Sequence, residues 1–256
     1  MGKVISIALP KGGVGKTTTV VNLAASLAVA EKRVLIIDLD PSGSAGIALG
    51  FSEDERMPGI FDIFSYTHSV EQCTRSTELE YLHFLPMNFL SPVAEERLHR
   101  MSNNKMLLYH LLLPMKERYD YILIDCPPYA IGLANVALVA SDSVLIPAKS
   151  GHLTVEAIDK LYEHLDWLRR FTNRHVQTEG ILLTMHEPNT KVDTLIDGDL
   201  REQFNGKILN TVIPKNSTLS ESSYHGKPVI LYNANAKGAI AYLALANEIM
   251  NKNGTS

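Results

Sequence analysis

Along the chain, short apolar runs recur with longer mixed stretches between them. Seven runs read as strands: Val4–Leu9, Arg33–Asp38, Leu82–Leu85, Tyr121–Asp125, Ser143–Ala148, Gly180–Thr184 and Ile208–Ile213. Most are continuously apolar and do not alternate, the pattern of strands buried on both faces of a parallel sheet. Between the first two, Thr17–Ala30 sets Val20, Val21, Leu23, Ala24, Leu27 and Ala28 at helical spacing. Thr154–Arg170 repeats the period with Val155, Ile158, Leu161, Leu165 and Leu168, and Lys237–Met250 closes the series. Strands alternating with helices predict an α/β fold: a mostly parallel, twisted sheet with right-handed crossovers and helices on both faces. No repeat, low-complexity tract or linker interrupts the 256 residues, so a single domain over 1–256 is expected. Residues 51–80 show no clear period and carry no element prediction.

Composition narrows the function. With 45% apolar residues the chain is globular, and 24 Lys and Arg against 28 Asp and Glu leave a net charge of −4. That balance excludes a basic nucleic-acid binder as a description of the whole chain, though not a local basic patch. Cys73 and Cys126 are too few and too far apart for a disulfide framework or a zinc site. They read as small core residues of a reduced protein. No signal peptide is expected ahead of Val4, and the apolar runs are too short to cross a bilayer. A soluble cytoplasmic protein is the expectation.

Chemistry enters at Pro10-Lys11-Gly12-Gly13-Val14-Gly15-Lys16-Thr17-Thr18, between the first strand and the first helix. This is the position of a phosphate-binding loop. Glycines at 12, 13 and 15 let successive backbone N–H groups, those of Val14 and its neighbours through Thr18 included, face one anion. The helix starting near Lys16 adds its positive end. Lys16 is expected on the β- and γ-phosphates of ATP and the Thr17 hydroxyl on Mg²⁺. Pro10 stands where the ordinary motif has glycine and cannot donate an N–H, so the loop is entered differently. Lys11 is a second cation at its start. Two further strands end in acids: Asp38, followed by Asp40, and Asp125, which is expected to hold Mg²⁺ through water. Ligands bind at such strand ends in open α/β sheets. Asp38 and Asp40 share a face if the strand persists through both.

Lys-Gly-Gly-Val-Gly-Lys-Thr-Thr at 11–18, Ile-Ile-Asp-Leu-Asp-Pro at 36–41 and Ile-Asp-Cys-Pro-Pro at 124–128 resemble the ParA/MinD family of deviant Walker A P-loop ATPases. The similarity runs over nearly the whole chain and is nearest to the Soj-type chromosome-partitioning branch. It also takes in Val212-Ile213-Pro214-Lys215-Asn216 and His225-Gly226-Lys227-Pro228. The resemblance implies an ATPase that dimerises around ATP, with Lys11 reaching the partner's phosphates. It implies Asp40 positioning the attacking water, Asp38 near the Mg²⁺ shell, and Pro214 and Asn216 flanking the adenine. Met185 packs on the base or belongs to the ordinary core. An iron–sulfur cluster shared between protomers, as in the related nitrogenase iron protein, is disfavoured because Cys126 sits directly behind the magnesium acid.

The family's partners would be a second copy, a ParB-like activating protein and non-specific duplex DNA, placing the protein in the cytoplasm on the nucleoid. The chain departs from the Soj pattern where DNA-binding arginines usually stand: Thr218 and Lys215, and the run His186–Lys191, have none. Residues 151–256 carry 11 Lys and Arg against 12 acids, so no basic face shows in composition. Lys191, Lys215, Lys227 and Lys237 remain as candidate phosphate contacts. Lys149, unusual for the family, is a candidate supplement to Lys11. The missing arginines keep open a relative that positions protein cargo, such as a carboxysome or a chemoreceptor cluster. A MinD-like membrane ATPase is disfavoured by the polar residues 251–256, which have no apolar face. A small-molecule P-loop ligase would need a substrate pocket that the sequence does not reveal.

Overall fold

The computed structural model describes residues 1–129, 131–149, 152–172, 176–187, 198 and 200–254. The strands are β1 (Lys3–Ile7), β2 (Val34–Asp38), β3 (Arg75–Ser76), β4 (Leu82–Leu85), β5 (Tyr121–Asp125), β6 (Ser143–Lys149), β7 (Gln177–His186) and β8 (Ile208–Pro214). They form one sheet in the order β3-β4-β2-β5-β1-β6-β7-β8, parallel except for the two-residue β3 at one edge. β1 lies between β5 and β6, with β5 separating it from β2, its neighbour in sequence, which makes its C-terminal end the place where the strand order reverses.

Both faces of the sheet are buried, as the unbroken apolar runs require. Val4, Leu35, Ile37, Ile122 and Ile124 face one core with Leu112, Val136, Ile158 and Leu161. Ile5, Ile7, Val34, Ile36 and Leu123 face a second core with Leu23, Leu27, Tyr242 and Leu245. The covering helices include α1 (Lys16–Val29), α5 (Pro92–Met101), α6 (Leu107–Met115), α7 (Leu133–Ala140), α8 (His152–Thr172) and α11 (Lys237–Asn253). Shorter helices are α2 (Ser44–Ala48), α3 (Ile60–Phe64), α4 (Val70–Cys73), α9 (Ser217–Tyr224) and α10 (Val229–Tyr232).

Register places the chemistry. Asp38 pairs with Asp125, and Ile7 pairs with the same Asp125, so three strands end on one line. The strand after Arg33 stops at Asp38, so Asp40 lies beyond it in a turn and does not continue a shared strand face with Asp38. The expected strand at Val4–Leu9 likewise ends early: Ala8 and Leu9 are buried, but they already lead into the loop. Residues 51–80, which gave no periodic signal, fold as a 3-10 turn at Asp54–Arg56, α3, α4 and β3.

Candidate functional site

The loop from Ala8 to Gly15 wraps the end of β1 and delivers the chain into α1. Gly15 is the residue before α1 and has φ +88°; Gly13 has φ +70°. These left-handed values disfavour any side chain. A Cβ on Gly13 would meet nothing within 4 Å, so backbone conformation and not crowding demands glycine there. No side chain caps the N-terminus of α1 and its first turn holds no acid, so its N–H groups are left for an anion. Lys16 is buried and its ammonium donates to the Lys11 carbonyl at 2.9 Å, curled back over the loop. Burial lowers its pKa from the ordinary lysine value, against the raising pull of the Asp125 and Asp40 charges.

Lys11 points elsewhere. Its ammonium donates to the Thr154 hydroxyl at 3.2 Å, in the first turn of α8. Thr154 is fully buried, and its hydroxyl donates onward to the Lys149 carbonyl at 2.6 Å. Lys149 itself is exposed at the end of β6.

The three acids differ sharply in their surroundings. Asp38 is fully buried, and its two oxygens accept the N–H groups of Asp40 at 3.0 Å and Ala45 at 3.2 Å. Burial, together with the Asp125 charge, pushes its carboxyl well above the usual range, while those two bonds hold it down. Asp40 is half-buried, and its Oδ1 accepts the Ser42 N–H at 2.9 Å. Asp125 is fully buried, and neither of its oxygens has a hydrogen-bond partner among the described residues. Burial pushes its carboxyl up to about 7, the Thr17 side chain and Lys16 ammonium pulling it down and the Asp40 charge adding to the rise. An orphaned carboxylate beside a threonine and a bare helix terminus fits a magnesium–phosphate group: Thr17 and Asp125 would hold the metal, directly or through water. Cys126, directly behind, is fully buried with its thiol pushed up to about 12 by burial first, so it sits there as a neutral thiol. Cys73, in α4, is buried too, in the same core as Cys126, with its thiol raised to about 11 by burial.

Two cavities meet over the loop and share Gly15, Thr18 and Met185. One, of about 300 Å³, is floored by Gly12, Gly13, Lys16 and Thr17 and faces Asp40. The other, of about 420 Å³, is walled by Ile213, Pro214, Asn216, Leu219 and Tyr242. A polar lobe joined to an apolar one has the outline of a nucleotide. The buried Asn216 Oδ1 has no partner among the described residues and can accept from an amine donor such as that of adenine. Met185 closes the waist between the lobes with φ +53°, unusual for a residue with a side chain. The adjacent Thr184 hydroxyl donates to the Val14 carbonyl at 2.9 Å, tying the end of β7 to the loop.

The residues expected at the phosphates, the metal and the base thus stand around one cleft. Of the candidate DNA lysines, Lys215 stands at the rim of the second cavity, and both it and Lys227 are engaged by glutamates. Lys215 pairs with Glu187 at 3.1 Å and Lys227 with Glu78 at 3.1 Å. Lys237 opens α11 beside a shallow groove with His186 and Ile240, and Lys191 lies outside the described residues. Sequence reasoning missed Thr154 and Thr184, placed by packing between segments distant in sequence, and Arg56, folded back onto the turn at Gly43. Their residue types carry no motif, so no local signal marks them. A separate apolar groove of about 320 Å³, lined by Leu98 of α5 and by Pro127, Tyr129, Ile131 and Leu133, lies beside this cleft.

Comparison with known proteins finds relatives over nearly the whole chain. A family model described as an AAA domain matches residues 2–178. The chromosome partitioning protein ParA of Myxococcus xanthus (strain DK1622) is 39% identical over 253 residues, 98% of this chain and 89% of that protein. The sporulation initiation inhibitor protein Soj of Bacillus subtilis (strain 168) is 39% identical over 250 residues, 97% of this chain and 98% of that one. Among solved structures, cobyrinic acid a,c-diamide synthase from Mycobacterium smegmatis with bound ATP analogue and magnesium superposes with a TM-score of 0.83 at 26% identity. The match covers 96% of this chain and 93% of the other.

Proposed function

The chain belongs to the ParA/Soj family of chromosome-partitioning ATPases, and from that premise we propose that it is an ATP-driven dimerising switch in DNA segregation. It is an ATPase whose cofactors are ATP and Mg²⁺. In the proposed cycle, ATP seats its phosphates on the N–H groups of Gly12–Thr18 and on Lys16, with adenine between Met185, Pro214 and Asn216. Thr17 and, through water, Asp125 would hold the magnesium, which would supply charge neutralisation at the phosphates. Asp40 orients the attacking water. Asp38, whose oxygens already hold two backbone N–H groups, acts on the turn bearing Asp40 more than on the metal. Lys11 completes the charge around the phosphates of a second copy, as an arginine finger does. A ParB-like partner speeds hydrolysis and resets the switch, and the ATP-bound dimer rests on duplex DNA without reading sequence. The proposed setting is the cytoplasm; among the described residues no helix is long and apolar enough to cross a membrane.

One observation carries this reading. Lys16 folds into its own loop while Lys11 turns its ammonium away from it, onto α8. A lysine held outside its own cradle supports a role on the phosphates of another copy. The test is size-exclusion chromatography with light scattering in saturating Mg²⁺-ATP. Asp40→Ala should bind ATP, fail to hydrolyse it and run as a persistent dimer. Asp40→Ala combined with Lys11→Ala should bind ATP and run as a monomer. A double variant that dimerises as well as the single one removes the trans role of Lys11, and a hydrolysing Asp40→Ala removes the role of Asp40. The ion pairs of Lys215 and Lys227 favour a second reading, in which the same switch positions a protein cargo. Duplex DNA retention separates the two.

A further inference from the structure

Beneath the turn that carries Asp40 lies a buried arginine. Arg56 is 5% exposed, and among the described residues no carboxylate pairs with it. Its Nη1 donates to the Gly43 carbonyl at 3.2 Å and its Nε to the Ser52 carbonyl at 3.4 Å. Burying a guanidinium without a counter-charge is costly, so a site that keeps one uses its geometry. The surroundings are shaped to admit it. A Cβ on Gly43 would fall 2.0 Å from Arg56 Nη1, and one on Gly46 would fall 2.5 Å from Arg56 Cδ. Gly43 is also left-handed, at φ +63°, just before α2.

The turn above is held from two sides. Asp38 takes the N–H groups at its two ends, those of Asp40 and Ala45. Arg56 takes the carbonyl of Gly43, whose own N–H donates back to the Asp40 carbonyl at 2.9 Å. The acid clamps donors, the guanidinium clamps an acceptor, and Asp40 sits on the loop between them. We propose that Arg56 is a positioning residue for hydrolysis: it fixes the Asp40–Ala45 turn so that the Asp40 carboxylate stays aimed at the γ-phosphate side of the cleft. The inference rests on the reading of Asp40 as the water-orienting acid. Arg56 touches neither nucleotide lobe, so its effect reaches the reaction only through that turn.

The experiment is single-turnover ATP hydrolysis with parallel nucleotide titration. Arg56→Met keeps the aliphatic stem and removes the donors. It should lower the hydrolysis rate about tenfold, within the up to 100-fold loss that about 1 Å of misplacement brings, and leave ATP affinity within about twofold. Arg56→Lys, which restores one donor within reach of Gly43, should recover most of the rate. Gly46→Ala pushes on the Arg56 stem without removing charge and should lower the rate in the same direction, which keeps the test alive if Arg56→Met does not fold. Wild-type hydrolysis in Arg56→Met, or loss of ATP affinity in step with rate and no recovery by lysine, overturns the proposal. Asp40→Ala serves as the separate control: if that variant still hydrolyses, the reading of Asp40 has failed and not the clamp.

Discussion

At the scale of single residues, the site is built from groups that the rest of the fold leaves dissatisfied. Asp125 is the clearest: fully buried, without a hydrogen-bond partner among the described residues, and held up to about 7 by burial. In the unfolded chain its carboxyl returns to the ordinary value near 4. Between those values the folded nucleotide-free protein keeps a proton that the unfolded chain has lost. Its contribution to stability therefore falls as pH rises from about 4 to about 7, and the whole cost is present above that. Asp125→Asn removes the charge at nearly constant shape. It should raise the melting temperature of the nucleotide-free protein at pH 8, by more than it does at pH 5, while abolishing the extra stability that Mg²⁺-ATP gives wild type. Differential scanning calorimetry at both pH values checks this; an equal effect at pH 5 and pH 8 contradicts it. Lys16, Thr17 and Asp125 were legible in the sequence because each stands at a strand end or loop position where spacing carries chemistry. Arg56 and Thr154 were not, because each matters only through a segment that folding brings beside it.

Elements were legible where their burial leaves a period. Leu82–Leu85 and Tyr121–Asp125 form with the bounds their apolar runs predict, and the three long helices appear within a few residues of theirs. Leu133–Ala140 gave no signal because every residue of α7 is buried, so the helix has no polar face to set a period. The short helices of residues 51–80 are set by local caps, such as Ser69 accepting the Gln72 N–H, which four or five residues cannot reveal as periodicity. The β6–α8 junction matters most at this scale. Thr154, through its bonds to Lys149 and Lys11, ties the start of α8 to the phosphate loop. Replacing the hydroxyl by a methyl in Thr154→Val frees the Lys11 ammonium without opening a cavity. Acylation of Lys11 in the nucleotide-free protein should then quicken about fivefold relative to Lys237, the factor that about 1 kcal/mol of hydrogen bond represents. Nucleotide affinity should stay unchanged, and Thr154→Ser should behave as wild type. Mass spectrometry of labelled peptides is the measurement; equal labelling rates show that the contact does not hold Lys11.

At the scale of the whole molecule, one sheet gathers the ends of β1, β2, β5, β6 and β7 around a single cleft, while charge is spread thinly elsewhere. The fold class was legible because parallel strands buried on both faces write themselves as unbroken apolar runs. The external surface was not, since a lysine in the sequence does not disclose its neighbour. Lys215 and Lys227 each stand against a glutamate, so reaching a DNA phosphate means giving up an ion pair. With a net charge of −4 the molecule has no long-range attraction to make up the difference. An ATP-bound dimer should therefore hold duplex DNA weakly, with affinity falling by about 0.9 in log units per log unit of salt for each phosphate contacted, and retention lost between about 50 and 200 mM salt. The pairing also allows a test in the opposite direction. Glu78→Gln and Glu187→Gln leave the lysines in place and remove their competitors. In the Asp40→Ala background with ATP they should strengthen retention on duplex DNA and steepen its salt dependence, by roughly 0.9 in slope for each lysine released. Lys215→Glu and Lys227→Glu should weaken it. Surface retention across salt, with and without ATP, decides the matter. If neither glutamine variant binds DNA even at about 50 mM salt, these lysines are not phosphate contacts, and the switch works on a protein cargo over some other matrix.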